Sequence, residues 1–565
     1  MRTGRGRPPQ VRAAGDSALL VELEAVIDAD VNARAIAIAG ALRVADVPGV
    51  HDIVPAYRSV AVYFDPLATD RHALSEALSE ALSEALSAAS ADAGGAAPQP
   101  AGGSAGGALV EIPVAYGGEA GADLQAVADW AHLTTEQVIE RHASGIYRVY
   151  MLGFLPGFAY MGSVDATIAA PRRPTPRLRV PAGAVGIAGH QTGVYPRESP
   201  GGWQLIGQTM EPVFDLSRAR PSLFAPGDSV RFVRETSARC YSSPGKAESF
   251  APQATSRVIT VLSPGLFTTV QDLGRLGHQA DGVPVAGPMD SASHRLANVL
   301  VGNPPGAALL EATLGGPELR LEAPVTVAVA GADLDASVDG VPLHVNASRG
   351  CAAGAVLRFA GRRTGARAYV AFDGGLSVPL VLGSRATHPG SDFGGVDGRA
   401  LRAGDTIGLG DPHHTQPRGM RQPRPLPAGG ARLRVLPGPQ DDAFEAGFGS
   451  AALDALQRIR FIVSPQSNRM GYRLAGGALP PPRREMISDA TFFGGIQVPP
   501  SGDPILLMAD RQTTGGYPQL ATVITADLPL AGQLAPGDWI EFALCTQDEA
   551  LAALVEQERD LRAIG

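Results

Sequence analysis

The most reactive combination of side chains in the sequence is the run Asp510-Arg511-Gln512-Thr513, which places an acid, a fixed cation, an amide and a hydroxyl side by side. An arginine can bind a carboxylate or phosphate through two parallel hydrogen bonds, and a carboxylate can act as a base or orient a donor. The apolar residues directly before the run indicate that it ends a buried strand, although a surface ion pair would use the same residues. We therefore predict catalytic roles for these four residues and a substrate contact for Tyr517, which follows in the same loop.

A second polar loop, Gly189-His190-Gln191-Thr192-Gly-Val-Tyr195, combines neutral donors and acceptors with glycines. Glycine permits backbone conformations that bring the chain close to a ligand, while Gln, Thr and Tyr supply polar groups without charge. Such a loop suits an uncharged amide or a carboxylate. We predict that Gln191, Thr192 and Tyr195 bind substrate and that His190, a residue type that titrates near neutral pH, takes part in catalysis. The alternative is a polar turn between strands in which Tyr195 is packed.

Two positions outside these loops also have the chemistry of a substrate contact. Asp290 ends the turn Gly287-Pro-Met-Asp290 at the start of a predicted helix. Arg469 lies on the predicted turn Asn468-Arg469-Met-Gly-Tyr. We predict that both bind substrate; the alternative for Asp290 is capping of the helix amides.

Repeated motifs indicate a duplicated domain. Val180-Pro-Ala-Gly precedes the loop at Gln191, and Val498-Pro-Pro-Ser-Gly precedes the similar loop Gln512-Thr-Thr-Gly-Gly-Tyr-Pro. Each pair is followed by Ala-Pro-Gly-Asp and an alternating strand, at 225–232 and 535–542, with a weaker copy at 403–409. Repetition of a supersecondary unit is typical of duplicated architecture. We therefore predict two barrel-like domains with a site between the loops 190–196 and 510–518.

The abundance of glycine (69) and proline (47) between short apolar runs predicts a mainly β chain with α+β parts. A small α+β domain is expected first, and the β-rich domain after it has one helix predicted from Asp123 to Ala143. The predicted divisions are a disordered tail (1–13), the α+β domain (14–90), a linker (91–108), a β-rich domain (109–236), a linker (237–256), a first barrel-like half (257–411), a linker (412–430), a second barrel-like half (431–546) and a C-terminal helix (547–565).

Charge and hydropathy exclude some classes of partner. The net charge is −9 and no extended basic stripe is present, so we expect no nucleic-acid partner. No apolar run of about 18 residues occurs, so we expect no membrane span. No targeting signal follows the arginines of the first dozen residues, and the expected compartment is the cytoplasm.

The chain has one lysine, Lys246, which limits its cofactor chemistry. A P-loop needs GxxxxGK[ST], but Ala247 follows this lysine. Biotin and lipoyl carriers also attach their cofactor to a lysine, and Lys246 stands in a predicted linker, so we expect no covalently bound biotin. The three cysteines and the histidines show no metal-binding spacing, and no metal ligand is assigned.

Long motifs in both parts of the chain resemble a known pair of enzyme subunits. Residues 14–236 resemble the B subunit of 5-oxoprolinase, also called allophanate hydrolase subunit 1, and residues 257–545 resemble the C subunit of the same enzyme. The motifs that carry the resemblance are Gly153-Phe-Leu-Pro-Gly-Phe-Ala-Tyr-Met-Gly, Val180-Pro-Ala-Gly-Ala-Val-Gly-Ile-Ala-Gly, Ser199-Pro-Gly-Gly-Trp-Gln-Leu-Ile-Gly, Thr268-Thr-Val-Gln-Asp-Leu-Gly-Arg, Arg469-Met-Gly-Tyr-Arg-Leu and Asp510-Arg-Gln-Thr-Thr-Gly-Gly-Tyr-Pro.

The resemblance implies tandem cyclophilin-like β-barrel domains and an enzyme component. It implies ATP as cofactor, a separate A-type 5-oxoprolinase chain as partner, and the opening of a small lactam, 5-oxoproline, to glutamate. Two other functions stay open. One is a biotin-dependent carboxyltransferase, similar to that domain of urea carboxylase, which acts on urea or another small amide and uses a carrier on another chain. The other is a non-catalytic inhibitor of the Kip type, which binds a kinase.

Overall fold

The computed structural model describes residues 9–91, 107–235, 257–412, 426–444, 451–483 and 486–563. In these ranges the chain is mainly β, with two closed seven-stranded barrels and an N-terminal sheet packed with helices. The predicted mainly β fold with a small α+β unit and duplicated barrels is therefore confirmed. Most of each predicted linker, together with Lys246 and Cys240, lies outside the described residues.

The N-terminal unit is an antiparallel four-stranded sheet in the order β1-β2-β4-β3. Its elements are Gln10–Ala13 (β1), Ala18–Glu22 (β2), Ala29–Ala45 (α1), Val50–Pro55 (β3), Ser59–Phe64 (β4) and Arg71–Ala91 (α2). Leu74 and Leu78 of the repeated ALSE segment pack with Ile38 and Leu42 of α1 in one core, because residues four apart share one helix face. Residues 10–13, assigned from sequence to a disordered tail, instead form β1, since they pair with β2 and Arg12 binds Glu22 (3.0 Å).

The first barrel has the strand order β10-β7-β6-β13-β5-β12-β9. This part of the chain contains Leu109–Tyr116 (β5), Leu124–Ala131 (α3), Thr135–Ser144 (α4), Ile146–Leu152 (β6), Ala159–Gly162 (β7), Arg177–Val180 (β8), Ala184–Ala188 (β9), Gln191–Val194 (β10), Ser199–Gly201 (β11), Gln204–Gln208 (β12) and Ser229–Arg234 (β13). The single helix predicted from Asp123 to Ala143 is wrong. The helix stops at His132, whose φ is +55°, and a new helix begins where Thr134 and Gln137 form a capping box.

The middle unit has two open sheets around one shared core, rather than the closed barrel that its predicted barrel-like half would require. Its elements are Val258–Ser263 (β14), Phe267–Gln271 (β15), Ser291–Leu300 (α5), Leu309–Thr313 (β16), Glu318–Leu321 (β17), Val325–Asp333 (β18), Ala336–Val338 (β19), Val341–Pro342 (β20), Ala347–Cys351 (β21), Val356–Phe359 (β22), Thr364–Phe372 (β23), Leu376–Ser377 (β24) and Thr406–Leu409 (β25). The chain crosses repeatedly between a seven-stranded and a five-stranded sheet, and the inner faces of both supply the core.

The last barrel has the strand order β26-β33-β30-β31-β28-β27-β34. Its part of the chain contains Gly430–Pro437 (β26), Ala451–Arg458 (α6), Phe461–Val463 (β27), Gly471–Ala475 (β28), Asp489–Ala490 (β29), Gly495–Gln497 (β30), Ile505–Leu507 (β31), Thr514–Gly515 (β32), Gln519–Val523 (β33), Leu528–Gly532 (α7), Trp539–Leu544 (β34) and Gln547–Arg562 (α8). The helix predicted at the C-terminal end is α8, which begins with a capping box between Thr546 and Glu549.

The Ala-Pro-Gly-Asp repeat closes both barrels in the same way. Asp228 accepts a hydrogen bond from Ala225 N (2.7 Å), and Asp538 accepts one from Ala535 N (2.8 Å). The strand after each turn then pairs in parallel with the first strand of its own barrel, β13 with β5 and β34 with β26. In the weaker copy, Asp405 accepts from Arg402 N (2.7 Å) and precedes β25, which lies in an open sheet.

Buried hydrogen bonds connect the four units. Asp52 of β3 accepts from the backbone of Gly277 (2.9 Å) and from both the backbone and the side chain of Gln279 (3.1 Å each) in the middle unit. Ser59 of β4 donates to Asp489 of the last barrel (2.5 Å). Asn32 of α1 donates to the Tyr150 carbonyl of the first barrel (3.0 Å). Residues up to 430 positions apart are thereby held at one junction.

We predict that Phe232→Ala lowers the free energy of unfolding by about 3–5 kcal/mol, because it leaves a cavity in the first barrel core. Phe232 is fully buried and stacks on His142, with ring centroids 4.6 Å apart. Urea titrations followed by circular dichroism measure the change. Its neighbour Val233 is 40% exposed, so Val233→Ala is the control and should change stability by less than about 0.5 kcal/mol. Equal effects of the two variants would contradict the core assignment.

Candidate functional site

The loop after Met508 meets the first barrel at its Gly153-Phe-Leu-Pro-Gly segment. Thr514 Oγ1 accepts a hydrogen bond from Phe154 N (3.2 Å). A Cβ at Gly153 would lie 2.0 Å from the same hydroxyl oxygen, so only glycine allows this approach. Phe154 has φ +65°, a left-handed conformation that is uncommon for a bulky residue and concentrates at functional sites.

A cluster of tyrosines lies on the first-barrel side of this contact. Tyr57 packs against Tyr150 and Tyr160, with ring centroids 5.1 and 6.2 Å apart. Gln191 Nε2 donates to Tyr57 Oη (2.5 Å). Phe154, whose N–H binds Thr514, packs through Phe158 against Tyr160, with ring centroids 5.3 and 5.0 Å apart. The two loops singled out in the sequence, at 190–196 and 510–518, therefore border one aromatic cluster.

Two further residues of the 190–196 loop are buried, Thr192 inside the first barrel and Tyr195 in the aromatic cluster that contains Tyr57 and Tyr160. Thr192 is fully buried, and its hydroxyl contacts His142 Nε2 (2.9 Å) and donates to the Gly186 carbonyl (3.0 Å). Tyr195 packs between Phe158 and Trp203 and is 2% exposed; burial raises the pKa of its hydroxyl to about 12. For Tyr195 the structure shows the packed alternative that the sequence left open.

Asp510 faces the middle unit, where it forms a buried ion pair. Arg469 donates from Nε and Nη2 to the two carboxylate oxygens of Asp510, each at 2.9 Å. Arg469 Nη1 donates to Glu311 of β16, and Nη2 also donates to the Gly287 carbonyl (2.6 Å). Burial lowers the pKa of Arg469, but the carboxylates of Asp510 and Glu311 outweigh this effect and raise it. The guanidinium therefore stays charged and joins the two units.

Of the next three residues of the run, only Arg511 has a described side-chain hydrogen bond to the middle unit. Arg511 donates from Nη2 to Gln279 Oε1 (3.1 Å) and lies over the Phe493 ring; burial lowers its pKa. The Gln512 carbonyl accepts from the Thr491 hydroxyl. The Thr513 hydroxyl is buried and has no hydrogen-bond partner among the described residues.

Three predicted site residues lie elsewhere. Asp290 caps α5 by accepting from Ser293 N (2.9 Å) and also accepts from Gln533 Nε2 (2.8 Å), so it has the capping role left open from sequence. Tyr517 is 44% exposed. His190 is exposed at the turn before β10, where its ring lies 3.4 Å from the Val164 carbonyl oxygen. None of their described contacts reaches the tyrosine cluster.

Sequence reasoning missed the middle-unit residues that complete the junction. His388 is 5% exposed, lies close to Asp510 and hydrogen-bonds to Ser391 Oγ (2.8 Å); burial lowers its pKa. Arg275 is fully buried beneath Phe393, with its guanidinium carbon 4.8 Å from the ring centroid. Arg275 ends the motif that begins at Thr268. Its position directly after a glycine in that motif is the sequence feature that could have identified it as a site residue. His388 and Glu311 carry no local signal of this kind.

Metal-binding clusters and membrane spans are both absent from the described ranges. In this part of the chain, no group of three or more His, Cys, Asp or Glu side chains could hold a metal ion. Among the helices that the structure describes, none is both long and apolar enough to cross a bilayer.

Both halves of the chain match descriptions of one domain family. Residues 9–224 match "Carboxyltransferase domain, subdomain C and D", and residues 281–544 match "Carboxyltransferase domain, subdomain A and B". The two barrels and their shared polar junction thus define a two-part carboxyltransferase-domain protein.

Relatives cover the same two halves. The C subunit of 5-oxoprolinase from Escherichia coli is 38% identical over 305 residues, which are 54% of this chain and 96% of that protein. The B subunit of 5-oxoprolinase from Bacillus subtilis is 41% identical over 225 residues, which are 40% of this chain and 92% of that protein. The crystal structure of TTHA0988 is similar along the chain, with a TM-score of 0.81 at 38% identity over 94% of this chain and 100% of that one.

A more distant relative is urea amidolyase of Lachancea kluyveri, 33% identical over 310 residues, which are 50% of this chain but 16% of that protein. The chain belongs to the carboxyltransferase-domain family that includes the B and C subunits of 5-oxoprolinase.

We predict that Arg469→Met destabilises the protein by about 3–5 kcal/mol, because Asp510 and Glu311 are left buried without their cation. Adding Asp510→Asn and Glu311→Gln should restore most of the loss, since the unpaired charges are then removed. Urea unfolding of the single and triple variants measures both effects. A single variant as stable as wild type would show that the ion pair does not hold the units together.

We predict that His142 makes the first barrel less stable as pH falls. Burial lowers the pKa of His142 from 6.5 to about 3, so between these values the unfolded chain binds a proton that the folded chain does not. Stability then falls by about 1.4 kcal/mol per pH unit as pH decreases. Thermal unfolding from pH 7 to pH 4 should show a flatter profile for His142→Gln than for wild type. The exposed His132 provides the control, His132→Asn, which should keep the wild-type slope.

Proposed function

We propose that the chain is the B–C component of an ATP-dependent 5-oxoprolinase, which opens 5-oxoproline to glutamate together with a separate A-type chain of that enzyme. The observation that carries this proposal is the coverage of both relatives. This single chain covers 96% of a C-type 5-oxoprolinase subunit and 92% of a B-type subunit. Their junction is buried and polar, as expected of two subunits that act together.

The chemistry at the tyrosine cluster supports a lactam as substrate. Opening an unstrained amide develops negative charge on the carbonyl oxygen, which prepositioned donors stabilise. Burial raises the pKa of Tyr57 well above its usual value, so its hydroxyl remains protonated at neutral pH. Because Tyr57 Oη already accepts from Gln191 Nε2, its own proton is oriented away from that amide. We assign Tyr57 as a donor to the carbonyl oxygen and Gln191 as the residue that orients it.

The features that we singled out do not indicate a site for a nucleoside triphosphate. The sequence has no P-loop, and the guanidinium groups of Arg469 and Arg511 are bound to side chains and carbonyls of the protein. We therefore assign no ATP-dependent step to this chain, and we assign nucleotide binding to the A-type partner chain. The catalytic roles predicted for Asp510, Arg511, Gln512, Thr513 and His190 stay predictions.

A carboxyltransferase acting on urea or another small amide is the second candidate. The matched domain descriptions and the urea amidolyase relative favour it. With Lys246 as the sole lysine, this reaction would need carboxybiotin from a carrier on another chain.

The decisive experiment is glutamate release from 5-oxoproline and ATP by the purified chain, with and without a candidate A-type partner chain. We expect activity only when both chains are present, because the nucleotide site is assigned to the partner. A well-folded pair that releases no glutamate would contradict the proposal. Turnover of urea-like amides with carboxybiotin would then establish the second candidate.

We predict that Tyr57→Phe lowers kcat of the two-chain enzyme by about 100- to 1,000-fold, the loss typical of one oxyanion donor, with a small effect on KM. The control is Tyr147→Phe, which removes a buried hydroxyl that donates to the His142 carbonyl (2.8 Å) inside the first barrel. The control should lose some stability but keep kcat. Equal kcat values for the two variants would remove Tyr57 from the reaction.

A further inference from the structure

Several buried polar atoms without hydrogen-bond partners lie on the middle unit, beside the junction. Arg275 is fully buried, and its Nε and Nη2 donate to the carbonyls of Val381 (2.8 Å) and Ala386 (2.9 Å). These bonds fix the plane of the guanidinium. The remaining nitrogen, Nη1, has no hydrogen-bond partner among the described residues. Burial lowers the pKa of Arg275 to about 10, so the group is still a cation at neutral pH.

Two neutral groups next to Arg275 are also unpaired. Gln271 Nε2 donates to the Thr387 carbonyl (3.2 Å) and contacts Thr269 Oγ1 (3.0 Å). This arrangement assigns the amide orientation, because the carbonyl accepts only from a nitrogen donor. Gln271 Oε1 and Thr387 Oγ1 are both buried and lack partners in the described structure. The site thus offers a charged donor, a hydroxyl and an amide acceptor.

Two consecutive glycines pack closely against Arg275 and Thr387. A Cβ at Gly394 would lie 3.0 Å from Arg275 Nη2, and a Cβ at Gly395 would lie 2.0 Å from Thr387 Oγ1. Both glycines have positive φ, +76° and +57°. The backbone therefore approaches the guanidinium and the hydroxyl at positions where only glycine fits.

Unpaired buried polar atoms are rare in folded proteins, because each costs about 1–3 kcal/mol. Arg275 Nη1, Gln271 Oε1 and Thr387 Oγ1 are three of the buried side-chain atoms without a partner among the described residues, and a bound polar group would supply the missing hydrogen bonds. Arg275 Nη1 and the Thr387 hydroxyl can donate to a carboxylate, while Gln271 Oε1 can accept from an N–H. A carboxylate and an N–H on adjacent atoms are what an α-imino acid ring such as 5-oxoproline presents.

Arg275, Thr387 and Gln271 also lie beside the junction between the middle unit and the last barrel. His388, the residue after Thr387, lies close to Asp510. Phe393, which covers Arg275, stacks on Phe214 of the first barrel with ring centroids 6.4 Å apart. The unpaired groups therefore lie where the middle unit meets both barrels.

We propose that Arg275, Thr387 and Gln271 recognise the carboxylate and the neighbouring ring N–H of the substrate, and so select acidic lactams over neutral ones. The inference rests on the proposed lactam-opening function and names the groups that set its specificity. It involves binding only and no covalent step.

Isothermal titration of the full chain, alone and with the A-type partner chain, tests the inference with three ligands. These are 5-oxoproline, the corresponding lactone acid in which oxygen replaces N–H, and 2-pyrrolidinone, which lacks the carboxylate. We expect 5-oxoproline to bind most tightly, the lactone acid about tenfold more weakly, and 2-pyrrolidinone about a hundredfold more weakly, as expected for loss of neutral and charge-assisted hydrogen bonds. Equal affinity for 5-oxoproline and 2-pyrrolidinone would overturn the inference, as would binding of none of the three ligands.

Variants assign the individual groups. Arg275→Met should weaken 5-oxoproline binding to the level of 2-pyrrolidinone, and Gln271→Leu should remove the preference for the lactam acid over the lactone acid. The nearly isosteric Thr387→Val should weaken both acids about tenfold and provides the test if Arg275→Met does not fold. The control is Arg363→Met, since Arg363 is 61% exposed in a surface pair with Asp335. Wild-type affinity in both Arg275→Met and Thr387→Val would show that the unpaired groups hold only water.

Binding and turnover separate this inference from the proposed function. Selective, Arg275-dependent binding of the acid without glutamate release would support the carboxylate site and contradict the 5-oxoprolinase assignment. Glutamate release with an unchanged KM in Arg275→Met would support the assignment and contradict the site.

Discussion

The contact between the middle unit and the last barrel depends on one buried guanidinium. Arg469 of the last barrel binds Asp510 of its own barrel through two parallel hydrogen bonds and reaches Glu311 of the middle unit through its third nitrogen. Burying charges is unfavourable unless they are paired in good geometry. The three charges are therefore stable only when β16 and the 510 loop are held together. This requirement fixes the Asp510 backbone beside His388, and it fixes the following residues, Arg511 to Thr514, against the N-terminal unit and the first barrel.

Duplication supplies the two halves of the site. Each barrel is closed by an Ala-Pro-Gly-Asp turn and a parallel pairing of its last strand with its first. The polar loop of each barrel then lies at the edge of the same tyrosine cluster. The loops have diverged in what they contact. In the first barrel Thr192 contacts His142 of the barrel itself and Tyr195 packs in the aromatic cluster, whereas in the last barrel Asp510 binds Arg469 of its own barrel and Arg511 binds Gln279 of the middle unit.

Local sequence patterns predicted the parts of the structure that local physics determines. The turn-strand repeat, the leucines four apart in α2 and the C-terminal helix all follow from spacing along the chain. The break between α3 and α4 was missed because a hydrophobic face can continue across a left-handed residue such as His132. The junction could be predicted only in outline. Arg469 and Glu311 are separated by 158 positions, and His388 meets Asp510 across two units, so no window of sequence contains their pairing. Arg275 was within a recognised motif, but its unpaired nitrogen is visible only once Val381 and Ala386 are placed around it.

The central claim is that an acidic lactam binds where the middle unit meets the two barrels, and a crystal structure of the chain with 5-oxoproline tests it most directly. We predict density for the ligand with its carboxylate at Arg275 Nη1 and the Thr387 hydroxyl and its ring N–H at Gln271 Oε1. Ligand density at another place on the chain, with only water beside Arg275 and Thr387, would contradict this claim.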